Sequence, residues 1–148
     1  MHFQAARLRT LFFLIALALF LAGCGGPTDA QGYNSSGVKL FERGQAEEAL
    51  AQYNEAIGLD SSFAVAYFNR GQTYFALGQP QKAVQDYAEA ILLNPDRAQV
   101  RLVYASRAMA YTLLGNDSEA QEDIGRAVEL GHDPRLLLRA IDELKKQR

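Results

Sequence analysis

The chain has 148 residues, of which 49% are hydrophobic and 22% charged, and its formal net charge is −2. This length has room for one domain, and the single cysteine, Cys24, excludes an internal disulfide. An acidic balance without basic runs argues against nucleic acid as a partner, since phosphates bind clustered Lys and Arg. Two histidines, His2 and His132, are too few for a His-rich metal site. We expect neither a metal nor a cofactor.

Residues 1–23 have the organisation of an export signal. Arg7 and Arg9 precede an unbroken apolar run of 12 residues, 11–22. A transmembrane helix requires about 20 such residues, whereas a shorter run after positive charge and before small residues is typical of a signal peptide. The alternatives are a short membrane anchor and ordinary secretion with an incidental cysteine.

The apolar run ends in Leu21-Ala22-Gly23-Cys24, which resembles the lipobox of bacterial lipoproteins. The resemblance implies cleavage before Cys24, lipidation of its sulfur, and anchoring on the extracytoplasmic side of a bacterial membrane. Residues 24–29 would then be the lipidated cysteine and a short linker. Because Gly25 and Gly26 replace the Asp that commonly retains lipoproteins at the inner membrane, the periplasmic face of the outer membrane stays open as a destination in a host that has one.

Further along the chain, small and large residues recur at fixed distances from three glycines, Gly44, Gly78 and Gly115. Small residues let two helices approach closely, large ones fill the grooves between them, and apolar residues at i, i+3 and i+4 predict one buried stripe on each helix. The recurring columns are Ala49, Ala83 and Ala120; Tyr53, Tyr87 and Ile124; Ala56, Ala90 and Ala127; Gly37, Gly71 and Ala108; and Leu40, Tyr74 and Tyr111.

This pattern, with glycines 34 and then 37 residues apart, resembles the tetratricopeptide repeat, a helix-turn-helix unit. The resemblance implies an all-α fold, a right-handed α-solenoid of three repeats over residues 30–63, 64–97 and 98–133. The third repeat carries a three-residue insertion around residues 98–100, which we expect to add a turn at the start of its first helix.

A C-terminal capping helix over residues 134–148 is predicted after the third repeat. Asp133 is a good N-cap and Pro134 suits the first helical position. Four apolar side chains share one face of this helix and would cover the last repeat. They are Leu137, Ala140, Ile141 and Leu144.

The acidic side chains of the chain are interpreted as a solvated surface. Glycosidase-type catalysis needs two carboxylates that converge across a pocket, whereas the carboxylate groups fall on predicted second helices and away from the alanine stripe. They are Glu47 with Glu48, and Glu119 with Glu122 and Asp123. No nucleophile with a base at a recognisable spacing accompanies them, so we do not expect an enzyme.

In tetratricopeptide domains the first helix of each pair lines the concave face, and the resemblance carries this role onto a mixed set of side chains. The candidate partner-binding residues are Asn34, Val38, Phe41, Phe68, Asn69, Gln72, Phe75 and Met109, with Glu42, Val65, Leu102, Ala105, Ser106 and Thr112 on the same face. Aromatic anchors ringed by amides suit an extended peptide or a partner's helix. The alternative is that some of these side chains simply pack between first helices.

The family also has a version that clamps a terminal carboxylate with Lys, Asn and Arg, and only Asn69 matches that pattern here. We therefore do not expect this chain to be a clamp of that kind.

Taken together, the two resemblances predict a membrane-anchored, non-catalytic protein–protein interaction scaffold or assembly factor of the cell envelope, with a protein or peptide partner. One alternative is a structural lipoprotein that self-associates as a homo-oligomer. Another is an accessory that positions an envelope hydrolase.

Overall fold

The computed structural model describes residues 27–93 and 96–147, and every regular element within them is an α-helix. The predicted signal peptide and Cys24 lie outside the described residues. The helices are α1 (Ala30–Glu42), α2 (Ala46–Leu59), α3 (Ala64–Ala76), α4 (Pro80–Leu92), α5 (Arg97–Leu114), α6 (Asp117–Glu129) and α7 (Pro134–Lys145). In the described part of the chain, no helix combines the length and the apolar character needed to cross a membrane.

The first six helices form three pairs that stack in chain order. Pair 1 is α1 with α2, pair 2 is α3 with α4, and pair 3 is α5 with α6; the pairs are joined by contacts of α2 with α3 and of α4 with α5. The first helices also contact one another, whereas the second helices do not. The stack is therefore curved with the first helices on its inner side, which confirms the predicted α-solenoid.

The turn inside each pair depends on a glycine. Gly44, Gly78 and Gly115 have φ angles of 78°, 69° and 78°, in the left-handed region that glycine adopts without the strain of a Cβ. At the first of them, the N–H of Gly44 donates to the carbonyl of Phe41 at 2.9 Å and closes the end of α1. The recurring glycines thus end the first helices, as their spacing predicts.

The core between paired helices is built from the alanine and tyrosine columns. Tyr53 and Tyr87 are each 1% exposed, and their rings lie over the small residues of the preceding helix. A Cβ at Gly37 would come within 2.5 Å of Tyr53 Cε1, and one at Gly71 within 2.8 Å of Tyr87 Cε1. Only a small residue fits at these two positions, because a tyrosine ring already occupies the space that a larger side chain would need.

Pair 3 differs from the others at both of its ends. Helix α5 has 18 residues, whereas α1 and α3 have 13 each. Four of the five extra residues lie at its start, where the Asp96 carboxylate accepts from the N–H groups of Ala98 and Gln99. At the other end, α7 begins at Pro134 after the Asp133 cap, and Leu137 and Ile141 pack against the core of pair 3. The predicted cap is therefore present.

The interpretation of Asp123 as part of a solvated surface is wrong. Its carboxylate is buried and accepts two hydrogen bonds from the Arg107 guanidinium, at 2.7 and 2.8 Å. Asp86 accepts from Arg70 in the same way, at 2.8 and 2.7 Å, and this bonding raises the pKa of Arg70 against the opposing effect of burial. A carboxylate on a second helix can be buried here because the first helix supplies a bidentate cation.

Candidate partner-binding groove

The eight candidate residues lie on the first helices, along the inner side of the curved stack. Helix α1 carries Asn34, Val38 and Phe41; α3 carries Phe68, Asn69, Gln72 and Phe75; and α5 carries Met109. Val38, Phe41 and Phe68 are half-buried, and Gln72 is exposed. We call this inner surface the groove.

Two of the predicted amides contact each other across the groove. Asn34 is buried, and its side-chain oxygen accepts a hydrogen bond of 2.9 Å from Nδ2 of Asn69. This bond joins α1 to α3, so Asn34 orients Asn69 and is itself withdrawn from solvent. Gln72, one turn further along α3, is exposed.

The aromatic candidates belong partly to the core. Phe68 and Phe75 pack against the buried cluster around Tyr87, and the ring centroid of Phe68 lies 5.9 Å from that of Tyr87. Met109 packs against the cluster that holds Leu137. Each of these side chains is half-buried, so it supports neighbouring helices and still keeps some exposed surface. Ala105, Ser106 and Thr112, by contrast, are buried in α5.

An open pocket of about 200 Å³ lies between α3 and α5. Its lining residues are Ala64, Val65, Phe68, Asn69, Gln99, Leu102 and Val103. Phe68 and Asn69 are predicted groove residues, whereas Gln99 was missed because it belongs to the extra turn of α5. The longer spacing between Gly78 and Gly115 is the sequence signal for this extra turn, which forms one side of the pocket.

The described residues do not hold a group of three or more His, Cys, Asp or Glu side chains arranged to bind a metal ion. The buried ionic groups of pairs 2 and 3 are instead the Arg–Asp pairs, in which each carboxylate is already matched by a guanidinium. The eight candidate residues of the groove offer apolar contact and amide hydrogen bonding.

Comparison with known families and structures agrees with this architecture. A family model described as TPR repeat matches residues 37–78, and one described as Tetratricopeptide repeat matches residues 64–97. No curated protein matches the chain at a significant level.

Solved tetratricopeptide domains superpose on most of the chain. The first TPR of Spaghetti (RPAP3), bound to the HSP90 peptide SRMEEVD, is 25% identical, with a TM-score of 0.70 over 80% of this chain and 92% of that one. The second TPR domain of human RPAP3, in complex with the HSP70 peptide SGPTIEEVD, is 26% identical, with a TM-score of 0.69 over 82% and 98%. The Arabidopsis OM64 TPR domain is 25% identical, with a TM-score of 0.70 over 84% and 100%. The chain therefore matches tetratricopeptide-repeat models over residues 37–97 and is similar to solved tetratricopeptide domains in its glycine-ended helix pairs.

Proposed function

We propose that this protein is a non-catalytic scaffold or assembly factor of the bacterial cell envelope that holds a protein partner in its groove. The observation that carries the proposal is the curved row of first helices, which presents half-buried apolar side chains beside exposed amides. Two similar structures hold peptides, SRMEEVD and SGPTIEEVD. A groove of this kind recognises a short segment through a few apolar anchors and backbone hydrogen bonds.

The proposed location rests on the N-terminal sequence. Arg7, Arg9 and the apolar run 11–22 have the proportions of a signal peptide, and Cys24 follows the run at the lipobox position. Lipidation of Cys24 would leave five residues before α1. Five residues span under about 20 Å when fully extended, so the groove would work close to the membrane surface.

In this arrangement the protein acts by placing its partner. A lipid anchor confines the groove to a thin layer beside the bilayer, which raises the effective concentration of the two molecules without an added contact. Catalysis is left to whatever the partner does.

The test is photo-crosslinking of the full-length protein in envelopes of its native host. A photo-reactive amino acid replaces Gln72 in the groove and, as the control, Glu89 on α4; both positions are exposed. We expect a specific protein to be captured from Gln72 and not from Glu89. Mass spectrometry of the protein itself should show cleavage before Cys24 and a lipid on that residue.

Other outcomes would contradict the proposal. Crosslinks only between copies of this chain would favour the self-associating alternative. Capture of the same proteins from Gln72 and Glu89 would show that the groove is not selective. If the mature protein kept residues 1–23 or carried no lipid on Cys24, lipid anchoring at that residue would be wrong.

A further inference from the structure

The pocket between α3 and α5 exists because α5 starts early. Helix α3 begins at Ala64, and the matching position of the third repeat is Arg101, yet α5 begins at Arg97. Gln99 lies in this extra turn and lines the pocket together with Leu102, whose side chain is 43% exposed. The extra turn thus adds a wall at the inner side of the stack that pairs 1 and 2 lack.

The lining of the pocket is apolar and uncharged. Val65, Phe68, Leu102 and Val103 form most of it, and the only polar side chains among its seven described residues are the amides of Asn69 and Gln99. Pockets for drug-sized ligands occupy about 300–1,000 Å³. A pocket of about 200 Å³ is closer to the size of one large side chain.

The two amides can recognise a peptide backbone beside such a side chain. Nδ2 of Asn69 donates to Asn34 at 2.9 Å, which holds the Asn69 amide in place. A carboxamide has both donor and acceptor groups, so Asn69 keeps a carbonyl oxygen with which to accept from a peptide N–H. Gln99 is exposed and offers both kinds of group from the opposite wall.

We propose that this pocket binds one uncharged, apolar side chain, such as Leu or Phe, of a neutral segment in the partner protein. The amides of Asn69 and Gln99 bind the adjoining peptide groups. We expect an acidic segment to bind poorly, because a carboxylate that entered this apolar pocket would lose its water without a cation to replace it. This inference rests on the proposed function and names the chemistry of the segment that the groove receives.

A lipid acyl chain is the competing apolar occupant, and the structure favours a protein segment. The pocket holds only about 200 Å³, whereas an acyl chain needs a larger apolar channel to bury its methylene groups. The amides on its two walls would also gain nothing from a hydrocarbon, while a peptide satisfies them.

The test uses the full-length protein in lipid nanodiscs and saturation-transfer NMR of small probes. The neutral probes are N-acetyl-L-leucinamide and N-acetyl-L-phenylalaninamide, and the acidic ones are N-acetyl-L-aspartamide and the peptide SRMEEVD. We expect saturation transfer to the neutral probes, beyond that of empty nanodiscs, and none to the acidic probes.

Three variants locate the binding. Leu102→Glu places a charge in the pocket and should weaken binding of the neutral probes by about tenfold, which is the size of one lost apolar anchor of roughly 1.4 kcal/mol. Leu136→Glu, on the exposed surface of α7, is the matched control and should leave the probes bound. Gln99→Lys adds a cation at the rim and should bring binding of N-acetyl-L-aspartamide. Far-UV circular dichroism of each variant checks that the helices remain.

The inference is overturned if no neutral probe binds, if SRMEEVD binds better than the neutral probes, or if Leu102→Glu and Leu136→Glu have equal effects. Displacement of the neutral probes by added fatty acid but not by a neutral Leu-containing peptide would assign the pocket to lipid. Specific capture from Gln72 without probe binding would retain the proposed function and reject this pocket. Probe binding without capture from Gln72 would retain the pocket as a binding site and reject the proposed function.

Discussion

At the scale of single residues, two tyrosine rings pack directly against helical glycines. Tyr53 and Tyr87 lie against Gly37 and Gly71, where even a Cβ would be closer than atoms ordinarily come. Two other helical glycines, Gly58 and Gly125, have no atom within 4 Å of the place where a Cβ would lie. Glycine is therefore required at the first two positions and merely tolerated at the others.

We predict opposite effects of alanine at these two kinds of position. Gly37→Ala should lower the free energy of unfolding by about 1–3 kcal/mol, because Tyr53 must move to admit the methyl group. Gly58→Ala should raise it by about 0.4–1 kcal/mol, since alanine favours the helix and the space is open. Urea denaturation of the two variants and of the unchanged protein measures both changes in the free energy of unfolding. Changes of the same sign in the two variants would contradict the packing described here.

The buried tyrosines also make stability depend on pH. Burial raises the pKa of Tyr53 to about 12 and also raises the pKa of Tyr87, while an unfolded tyrosine titrates near pH 10, roughly. Above that pH the unfolded chain binds fewer protons than the native one, so stability falls as pH rises. The free energy of unfolding should be steady below about pH 9 and decline between about pH 10 and 12.

Urea denaturation at a series of alkaline pH values measures this decline. Tyr53→Phe removes one of the two ionisable groups and should make the decline shallower. An unchanged slope in Tyr53→Phe would mean that the loss of stability at high pH comes from other groups.

At the scale of helices, the sequence was sufficient for the repeat pattern and insufficient for the buried ion pairs. The glycines, the alanine columns and the Asp133-Pro134 start of α7 are local signals, which act within a few residues. The bond between Arg107 and Asp123 joins residues 16 positions apart on different helices. Asp123 alone is indistinguishable from exposed neighbours such as Glu122, although Arg and Asp recur eight residues before and after the glycine in two repeats.

The groove residues were harder to predict for the same reason. Aromatic residues on a first helix favour either a core or a binding surface, and periodicity does not separate the two roles. Phe68 fulfils both, because one side of its ring meets Tyr87 and another part lines the pocket. The spacing of the glycines indicates that a turn is inserted before α5. It does not show which residues that turn contacts, so the position of Gln99 in the pocket could not be predicted.

Helix α7 should contribute through one face only. Leu137 is 3% exposed and packs beside Ile124 and Ala127, whereas Leu136 is 66% exposed. Leu137→Ala is expected to cost about 2–5 kcal/mol of unfolding free energy, and Leu136→Ala less than about 0.5 kcal/mol. Chemical denaturation of the pair of variants tests this; equal costs would mean that α7 does not cover pair 3 in solution.

At the scale of the whole molecule, the two ends of the stack of described helices differ from its interior. Helix α7 covers pair 3, and α1 closes the other end by its composition. In α5, Val103 and Ala110 pack against the buried cluster of α4. The matching positions of α1 are Gly32 and Lys39, and Lys39 is exposed. A preceding second helix would thus have to pack on a glycine and a lysine.

We therefore expect the protein to be a monomer. Sedimentation equilibrium in density-matched detergent should give the mass of one chain over a wide range of concentrations, because α7 covers pair 3 and α1 would present Gly32 and Lys39 to a stacking helix. A mass that rises with concentration would contradict this expectation and support the self-associating alternative. Lys39→Leu is the informative variant, since an apolar residue on α1 should favour association of two chains and raise the measured mass.

The uneven distribution of the Arg–Asp pairs has a consequence for how the molecule comes apart. Pairs 2 and 3 each have one, while pair 1 has Ser36 and Gln52 at the matching positions. In a linear stack, stability is a sum of unit and neighbour terms, and among the described residues pair 1 has a neighbouring pair on one side only. Fraying should begin at α1 and proceed inward, and amide exchange should be fastest there. The molecule should therefore unfold stepwise, and its first helix pair should open before the other two.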